Sequence, residues 1–270
     1  MTDATRCPSA LVEQLFKTGG MKLRGCGSAT PSRSISNAEL GLRVETSDEW
    51  IRSRTGIAAR RVIGPDESLS ELNGLAAERA LAMAGWSADS LDLILLATST
   101  PDDLFGAAPR LQARIDAVNA AAFDLTAACS GFLFAVVTAA QYLRTGAMRR
   151  ILVVGADQLS SWVDWDDRRS CVLFGDAAGA LVLEASAPDE DDLAGFLLRS
   201  DGRRGEVLQL PQAPEHSPLV GEASHQRGGF QTIQMNGQEV YKFAVREVPA
   251  ILDSLLKTTA TEPNCLDWLL

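Results

Sequence analysis

Residues 123–143 read FDLTAACSGFLFAVVTAAQYL, and this stretch decides the fold class of the chain. A short apolar strand ends near Leu125, small residues surround Cys129, and a helix begins at about Ser130 and continues to Leu143. The helix is apolar almost all round, whereas a surface helix would show a polar face. We therefore expect it to be packed on every side. That arrangement needs layers above and below the helix and favours a multi-layered α/β architecture.

Short apolar strands and helices alternate on both sides of this stretch, which is typical of an α/β fold with a largely buried sheet. Capping boxes predict two helix starts, one at 46–49 that ends at Gly56 and one at 68–71 that ends at Gly85. A third helix is expected from Gly237 to Thr258, with a kink or restart near Glu247 because Pro249 lies inside it. The strands are predicted at 91–98, 120–125, 150–155, 171–174 and 180–184.

Composition and charge limit the function classes. The 270 residues are 46% hydrophobic and 22% charged, which is ordinary for one large or two modest globular domains. A net charge of −10 argues against a nucleic-acid surface, because phosphate binding requires a basic footprint. The five cysteines are scattered without CxxC spacing, and no apolar run reaches the roughly 18 residues of a membrane span. We therefore expect a soluble cytoplasmic protein with reduced thiols and neither a nucleic-acid nor a membrane partner.

Cys129 is the candidate nucleophile. It lies where a strand ends and the apolar helix begins, and the first amides of a helix carry partial positive charge that favours a thiolate. Small neighbours on both sides leave room for a thioester to approach. Position alone does not decide between this interpretation and a buried structural cysteine, the commoner fate of a free cysteine.

Three motifs carry a resemblance to a known family. The segments DLTAACSGF (124–132), FGDAAGA (174–180) and TSDEWIRSRTGI (46–57) resemble those of the 3-oxoacyl-acyl-carrier-protein synthase III family of thiolase-like condensing enzymes. The similarity is nearly continuous from Met21 to Leu270. It implies a five-layered αβαβα sandwich of two related halves, assembled as a homodimer. The expected division is a disordered extension at 1–20, a first half with the nucleophile at 21–186, and an incomplete second half at 187–270.

The resemblance also implies a reaction. Cys129 would take an acyl group from acetyl-coenzyme A or another acyl-coenzyme A. Malonyl-acyl-carrier protein would then lose carbon dioxide, and its carbanion would attack the thioester to give a 3-oxoacyl product. No cofactor and no metal are implied.

Other family roles carry over by matching positions. Trp50 and Arg168 would take the two faces of the coenzyme A adenine, although Trp50 can also be an ordinary helix anchor. Phe105 would reach into the acyl pocket of a second subunit, or simply pack in the dimer. Lys242 and Arg246 would receive the acidic carrier protein, or form a solvated face. The remaining assignments are Thr46, Arg54 and Gly237 to coenzyme A, and Leu173 to the acyl pocket.

The sequence departs from the family at three places. The family's histidine follows a Leu-Asp-Trp segment, and the chain reads Leu-Asp-Trp-Leu-Leu at 266–270; the later asparagine also has no counterpart. Neither His216 nor His225 matches a catalytic position, and Ala177 replaces a usual glycine. We therefore expect at most self-acylation without condensation. The alternatives are a non-catalytic truncated product or partner subunit, and another thiolase-superfamily synthase such as a hydroxymethylglutaryl-coenzyme A synthase or a secondary-metabolite ketosynthase.

Overall fold

The structure is a computed structural model and describes residues 19–269. The expected N-terminal extension lies outside these residues except for Gly19 and Gly20. Gly20 is already the first residue of a strand, and the amide of Gly19 donates to the carbonyl of Arg144 at 2.7 Å. An extension that ends at residue 20 is therefore too long, because these two glycines are hydrogen-bonded to the body of the protein.

The elements follow one another in an α/β order. The strands are β1 Gly20–Ala29, β2 Ser34–Ser36, β3 Ala59–Arg61, β4 Leu93–Ala97, β5 Ala121–Leu125, β6 Arg150–Gln158, β7 Asp176–Ser186, β8 Leu208–Gln209, β9 Glu215–Val220, β10 Ala223–Arg227 and β11 Gln234–Met235. The α-helices are α1 Asn37–Leu40, α2 Asp48–Thr55, α3 Leu69–Ala84, α4 Ala108–Arg114, α5 Gly131–Arg144 and α6 Gly237–Thr258.

The described chain forms two compact units made of interleaved segments. The first unit contains residues 19–31, 64–157 and 177–196, and the second contains residues 32–63, 158–176 and 197–269. The boundary expected at 186/187 separates two related halves of the family's fold, and it stays a prediction.

The first unit is built on a five-stranded sheet with the order β1-β7-β6-β4-β5. β4 runs parallel to both β5 and β6, and β1 runs antiparallel to β7. Leu93 and Leu95 face α5 and share a buried cluster with it, while the alternate residues Ile94 and Leu96 are fully buried on the opposite face. Because β4, β5 and β6 are parallel, their carboxyl ends meet at one edge of the sheet. The residues that follow these three strands therefore lie close together.

Helix α5 is only partly enclosed. Its buried side chains, which include Ala135, Ala139 and Leu143, form one face against the sheet. Leu133 on another face is 64% exposed. The expectation that this helix is packed on every side is therefore wrong for residues 19–269, since no described element covers the second face.

The second unit surrounds an apolar cluster that includes Leu40, Ile51 and Val172, with Trp50 and Leu173 packed at its margin. The strand predicted at 171–174 is instead a series of turns, and β7 begins only at Asp176. Helix α6 has the predicted bounds and runs unbroken through Pro249, so no restart occurs near Glu247. No residue of α6 is buried.

The remaining part of the second unit, residues 197–236, is mostly exposed. It forms the short ladders β8–β11 and β9–β10. Across residues 19–269, none of the helices has both the length and the apolar character needed to cross a bilayer.

Candidate active site

Cys129 lies in a tight connection between β5 and α5. A single turn of 3-10 helix, Ala128–Ser130, joins the strand to the first residue of the helix, Gly131. Ala128 has φ 48°, a left-handed conformation that costs a residue with a side chain about 1–2 kcal/mol. Strain of this kind is retained where the surrounding structure fixes a functional geometry. The Cys129 side chain is exposed, so the interpretation as a buried structural cysteine is wrong.

Cys129 opens onto a cavity of about 240 Å³ at the carboxyl edge of the sheet. Small side chains from four elements leave this space free, so an acyl group could approach the sulfur. Ala177, the departure from the family's usual glycine, is one of the lining residues. The lining consists of Ala97, Ala128, Cys129, Phe132, Gly155, Ala156, Asp157, Ala177 and Gly179.

The position of the Phe132 ring in the cavity wall depends on the glycine at position 155. A Cβ atom placed on Gly155 would lie 2.8 Å from Cδ2 of Phe132, well inside van der Waals contact. The missing side chain of Gly155 therefore allows the Phe132 ring to pack against β6. A Cβ atom on Gly179, which lines the same cavity, would meet nothing within 4 Å.

Asp157 places a carboxylate in the cavity, and sequence reasoning missed it. Its Oδ1 accepts from the amide of Ser99 at 2.7 Å, from Oγ1 of Thr98 at 3.3 Å and from Oγ1 of Thr100 at 3.1 Å. These bonds hold the loop after β4 against the end of β6. The available signal was a lone acid at the end of an apolar strand, which often marks the functional edge of a parallel sheet.

The two residues assigned to the acyl pocket do not line the Cys129 cavity. Phe105 is 95% exposed and borders a separate cavity of about 450 Å³ beside the edge strand β5. Leu173 is partly buried against the apolar cluster of the second unit. Their assignment to an acyl pocket stays a prediction.

In the second unit, two guanidinium groups lie against the indole of Trp50. Cζ of Arg54 is 4.6 Å from the ring centroid, and Cζ of Arg168 is 4.9 Å from it. Both distances are within the range of cation–π attraction. Among residues 19–269, neither guanidinium has a carboxylate within 4.0 Å. The stack thus combines an aromatic face with two cations that no acid in the described part of the chain neutralises, a composition that suits a nucleotide carrying phosphates.

The start of α2 differs from the predicted capping box. Ser47, not Thr46, caps the helix, and its hydroxyl accepts from the amide of Trp50 at 3.1 Å. The cap lies one residue later because Ser47 has the extended backbone that an N-cap requires. The hydroxyl of Thr46 is buried and has no hydrogen-bond partner among the described residues. An unsatisfied buried hydroxyl costs about 1–3 kcal/mol, which makes Thr46 a candidate for a contact with a bound ligand.

The residues assigned on α6 are accessible, and the two basic residues among them already form ion pairs. Gly237 is exposed at the first position of the helix, and an added Cβ would meet only Met235, at 3.8 Å. Nζ of Lys242 lies 2.8 Å from Oε1 of Glu239. The hydrogen bonds from Lys242, and then from Arg204, lower the pKa of the Glu239 carboxyl.

Arg246 has a similar partner, since its Nε lies 2.7 Å from Oε1 of Glu247. Because exposed ion pairs contribute little free energy, Lys242 and Arg246 can exchange these carboxylates for those of another protein. His216 and His225 lie on β9 and β10. Residues 19–269 contain no group of three or more His, Cys, Asp or Glu side chains that could hold a metal ion.

Comparison with known proteins identifies relatives along most of the chain. Residues 123–202, which include Cys129 and the lining residues that follow it, match the family model for "3-Oxoacyl-[acyl-carrier-protein (ACP)] synthase III". A beta-ketoacyl-[acyl-carrier-protein] synthase III of Prochlorococcus marinus (strain MIT 9313) is 70% identical over 251 residues, which are 93% of this chain and 74% of that protein. A protein of the same name from Synechococcus sp. (strain RCC307) is 66% identical over 93% of this chain and 75% of its own length.

The fold agrees with a solved structure. The crystal structure of 3-oxoacyl-[acyl-carrier-protein] synthase III from Aquifex aeolicus VF5 superposes with a TM-score of 0.79 at 37% sequence identity. The match covers 91% of this chain and 74% of that one. Sequence and fold therefore point to the same group of proteins.

Proposed function

The chain belongs to the 3-oxoacyl-acyl-carrier-protein synthase III family of thiolase-like condensing enzymes, and on that premise we propose that Cys129 is its acyl-accepting nucleophile. The family's enzymes are acyltransferases that begin fatty acid synthesis, and this is the function that the chain's relatives support. The observation that carries the assignment is the exposed Cys129 at a strained strand-to-helix turn, open to a cavity lined by small residues.

The first half-reaction is acyl transfer. The thiolate of Cys129 attacks the carbonyl carbon of acetyl-coenzyme A or another acyl-coenzyme A. A new C–S bond forms, and the C–S bond to coenzyme A breaks with departure of its thiolate. The oxyanion of the tetrahedral intermediate requires hydrogen-bond donors, and the backbone amide of Cys129 is the donor that the first unit offers. Amides at the start of α5 favour negative charge in the same region.

The second half-reaction of the family's enzymes is condensation. Malonyl-acyl-carrier protein loses carbon dioxide, and the resulting carbanion attacks the acyl carbon on Cys129. The bond from that carbon to sulfur breaks, the Cys129 thiolate is regenerated and a 3-oxoacyl-acyl-carrier protein leaves. We assign Lys242 and Arg246 on α6 to the acidic carrier protein, on the basis of their charge and exposure.

Coenzyme A is assigned to the Trp50 stack. Trp50 and Arg168 would hold the two faces of adenine, and Arg54 and Arg168 would attract the phosphates because no acid among the described residues neutralises them. Rings that stack on both sides of adenine must stand about 7 Å apart, so the Arg168 guanidinium, now 4.9 Å from the indole, must move outward on binding. Thr46 would gain a partner for its hydroxyl, and Gly237 would admit the pantetheine arm.

The remaining assignments concern the oligomeric state and the cellular location. We assign a homodimer in which Phe105 and Leu173 border the acyl pocket, because Phe105 is exposed beside an edge strand. We also assign a cytoplasmic location, in agreement with the unpaired cysteines among the described residues.

Acylation of Cys129 tests the central assignment. The chain is incubated with acetyl-coenzyme A, digested and examined by mass spectrometry for one acetyl group on the Cys129 peptide. Cys129→Ser must abolish the rapidly formed thioester, and Trp50→Ala must raise the concentration of acetyl-coenzyme A needed for half-maximal acylation. Release of a 3-oxoacyl product from malonyl-acyl-carrier protein reports the second half-reaction separately. Acetylation at another cysteine, with Cys129 unmodified, would refute the assignment.

A further inference from the structure

A buried polar network behind the Trp50 helix has no part in the chemistry described so far. Arg60, in β3, is 4% exposed, and Asn37, the first residue of α1, is 1% exposed. Nη2 of Arg60 donates to Oδ1 of Asn37 at 2.7 Å and to the carbonyl of Val172 at 3.2 Å. Nη1 of Arg60 donates to the carbonyl of Ile35 at 3.2 Å.

Asn37 holds both ends of helix α2. Its Nδ2 donates to Oδ1 of Asp48, the first residue of that helix, at 2.9 Å. The same nitrogen donates to the carbonyl of Ile57, just after the Gly56 cap, at 2.8 Å. With the bond accepted from Arg60, both donors and the acceptor of the amide are in use. Neither aspartate nor serine can make all three bonds from this position.

Arg60 extends the network to the segment that carries Arg168. Val172 belongs to a run of turns in which the amide of Cys171 donates to the carbonyl of Asp167 at 3.0 Å. Arg168 lies inside that run. The Trp50 helix and the Arg168 turn are thus joined by hydrogen bonds through two buried side chains, Asn37 and Arg60.

The energetics of Arg60 point to a positional role. Its guanidinium contacts only neutral oxygens, and among residues 19–269 it has no carboxylate within 4.0 Å. Its Nε is buried and has no partner among those residues. Burial of an unpaired charge costs several kcal/mol, and hydrogen bonds to neutral oxygens offset only part of that cost. Stability alone therefore does not account for an arginine at this position.

We propose that Arg60 and Asn37 are positioning residues of the coenzyme A site, which fix the Trp50 helix against the turn that carries Arg168 so that the indole and the guanidinium stay on opposite sides of the adenine position. This inference rests on the proposed function, because it assumes that the Trp50 stack receives coenzyme A. Arg60 and Asn37 do not touch the ligand. They hold in place the two backbone segments that carry Trp50 and Arg168.

The test compares binding with stability in substituted full-length chains. Arg60→Lys keeps the charge but loses the planar fork that reaches three oxygens. Arg60→Met removes the buried charge but leaves Oδ1 of Asn37 and the carbonyls of Ile35 and Val172 without this donor, so its melting temperature should fall and binding is measured well below it. For both variants we expect the Kd of coenzyme A, measured by isothermal titration calorimetry, to rise about tenfold, because the stack is no longer held. Alkylation of buried Cys171, next to Val172, should become faster, whereas alkylation of Cys129 should not change.

Arg61→Lys is the matched control, because Arg61 is the exposed neighbour of Arg60 in the same strand and donates to the carbonyl of Ser32. Its Kd should stay within about twofold of the wild type, as for a surface substitution away from the network. Unchanged affinity in both Arg60 variants, together with lost affinity in Trp50→Ala, would overturn the positioning role and leave the proposed function standing. A wild-type chain that does not bind coenzyme A would overturn both.

Discussion

At the scale of single residues, the accessibility of Cys129 follows from the backbone before it. The left-handed Ala128 turns the chain sharply after β5, so the next side chain points out of the sheet edge and not into the core. Of the described cysteines, Cys26 and Cys265 are also exposed, and only Cys171 is buried. Exposure alone therefore does not single out Cys129. Cys26 also lines a cavity, so the position of Cys129 at the start of α5 is what distinguishes it.

Cys129 should be alkylated before the chain's other cysteines. The thiolate is the reacting species, and helix-terminal amides favour negative charge near Cys129, whereas Cys26 lies in a strand with its sulfur 3.8 Å from Sδ of Met83. Cys171 should react last, since its side chain is buried and burial raises the pKa of the thiol. Limited labelling with iodoacetamide and peptide mapping give the order. Earlier labelling of Cys26 in the folded protein would argue against Cys129 as the nucleophile.

Gly155→Ala should damage the cavity, and Gly179→Ala should not. The new methyl group at 155 would displace the Phe132 ring, and overpacking of this kind costs about 1–3 kcal/mol. The free energy of unfolding in urea should fall by that amount, and a displaced ring should slow alkylation of Cys129. At 179 the methyl group meets nothing within 4 Å, so we expect a change below about 0.5 kcal/mol. Equal effects at the two positions would show that Phe132 moves without cost.

At the scale of elements, helix ends were the most predictable feature of the sequence. Ser68 with Glu71, Gly56 and Gly85 lie where the sequence predicted, because caps depend on local backbone and hydrogen bonds. The strand predicted at 171–174 was wrong because this segment depends on tertiary contacts and not on local ones. Its apolar residues are buried by a tertiary cluster while their backbone forms turns, and periodicity cannot distinguish these two cases.

The candidate site was predictable only in part, for a similar reason. Cys129, Trp50, Arg54 and Arg168 lie in recognisable motifs, and the three residues of the stack do meet. Asp157 and Arg60 were missed because their roles depend on partners far along the chain. A single sequence shows the residue type at such a position but not the contact.

The segment after β7 should stabilise the first unit in a pH-dependent way, through hydrogen bonds to the carboxylate of Asp191. Asp191 accepts from the amides of Met21 at 3.1 Å and Leu193 at 3.0 Å, and from Nε of Arg144 at 2.9 Å. Burial alone would raise the pKa of Asp191, but these bonds outweigh it and hold the pKa below its ordinary value of 3.8. A lowered folded-state pKa contributes stability above the unfolded value, and that stability is lost as the pH falls through the folded value.

Asp191→Asn should therefore lower the free energy of unfolding at pH 7 by about 1.5–3 kcal/mol, the range for hydrogen bonds to a charged group. The difference between variant and wild type should shrink as the pH is lowered below about 4, where the wild-type carboxyl becomes protonated. Asp189→Asn, an exposed neighbour in the same link, is the control and should change little at any pH. A difference in the free energy of unfolding that does not depend on pH would show that the charge of the Asp191 carboxylate does not stabilise this segment.

At the scale of the whole molecule, an exposed apolar loop beside an edge strand predicts self-association. Leu104 and Phe105 are 92% and 95% exposed, and β5 is one of the two edges of the sheet. The double variant Leu104→Ser, Phe105→Ser should shift the mass measured by light scattering from dimer toward monomer. Leu42→Ser, at a leucine that is 90% exposed elsewhere, should leave the mass unchanged. A wild-type chain that is monomeric at micromolar concentration would contradict the proposed dimer.

The order of strands in the main sheet also has a consequence for biosynthesis. The first strand, β1, pairs with β7, so Gly20 meets Ser186 only after the intervening chain has been made. At about 5–20 residues per second, the ribosome completes β7 on the order of ten seconds or more after β1. During that interval β1 has no partner strand in the nascent chain, because β7 is the strand with which it pairs in this sheet. We expect nascent chains that end before residue 176 to bind chaperones, and chains extended beyond residue 196 to resist protease while still attached to the ribosome.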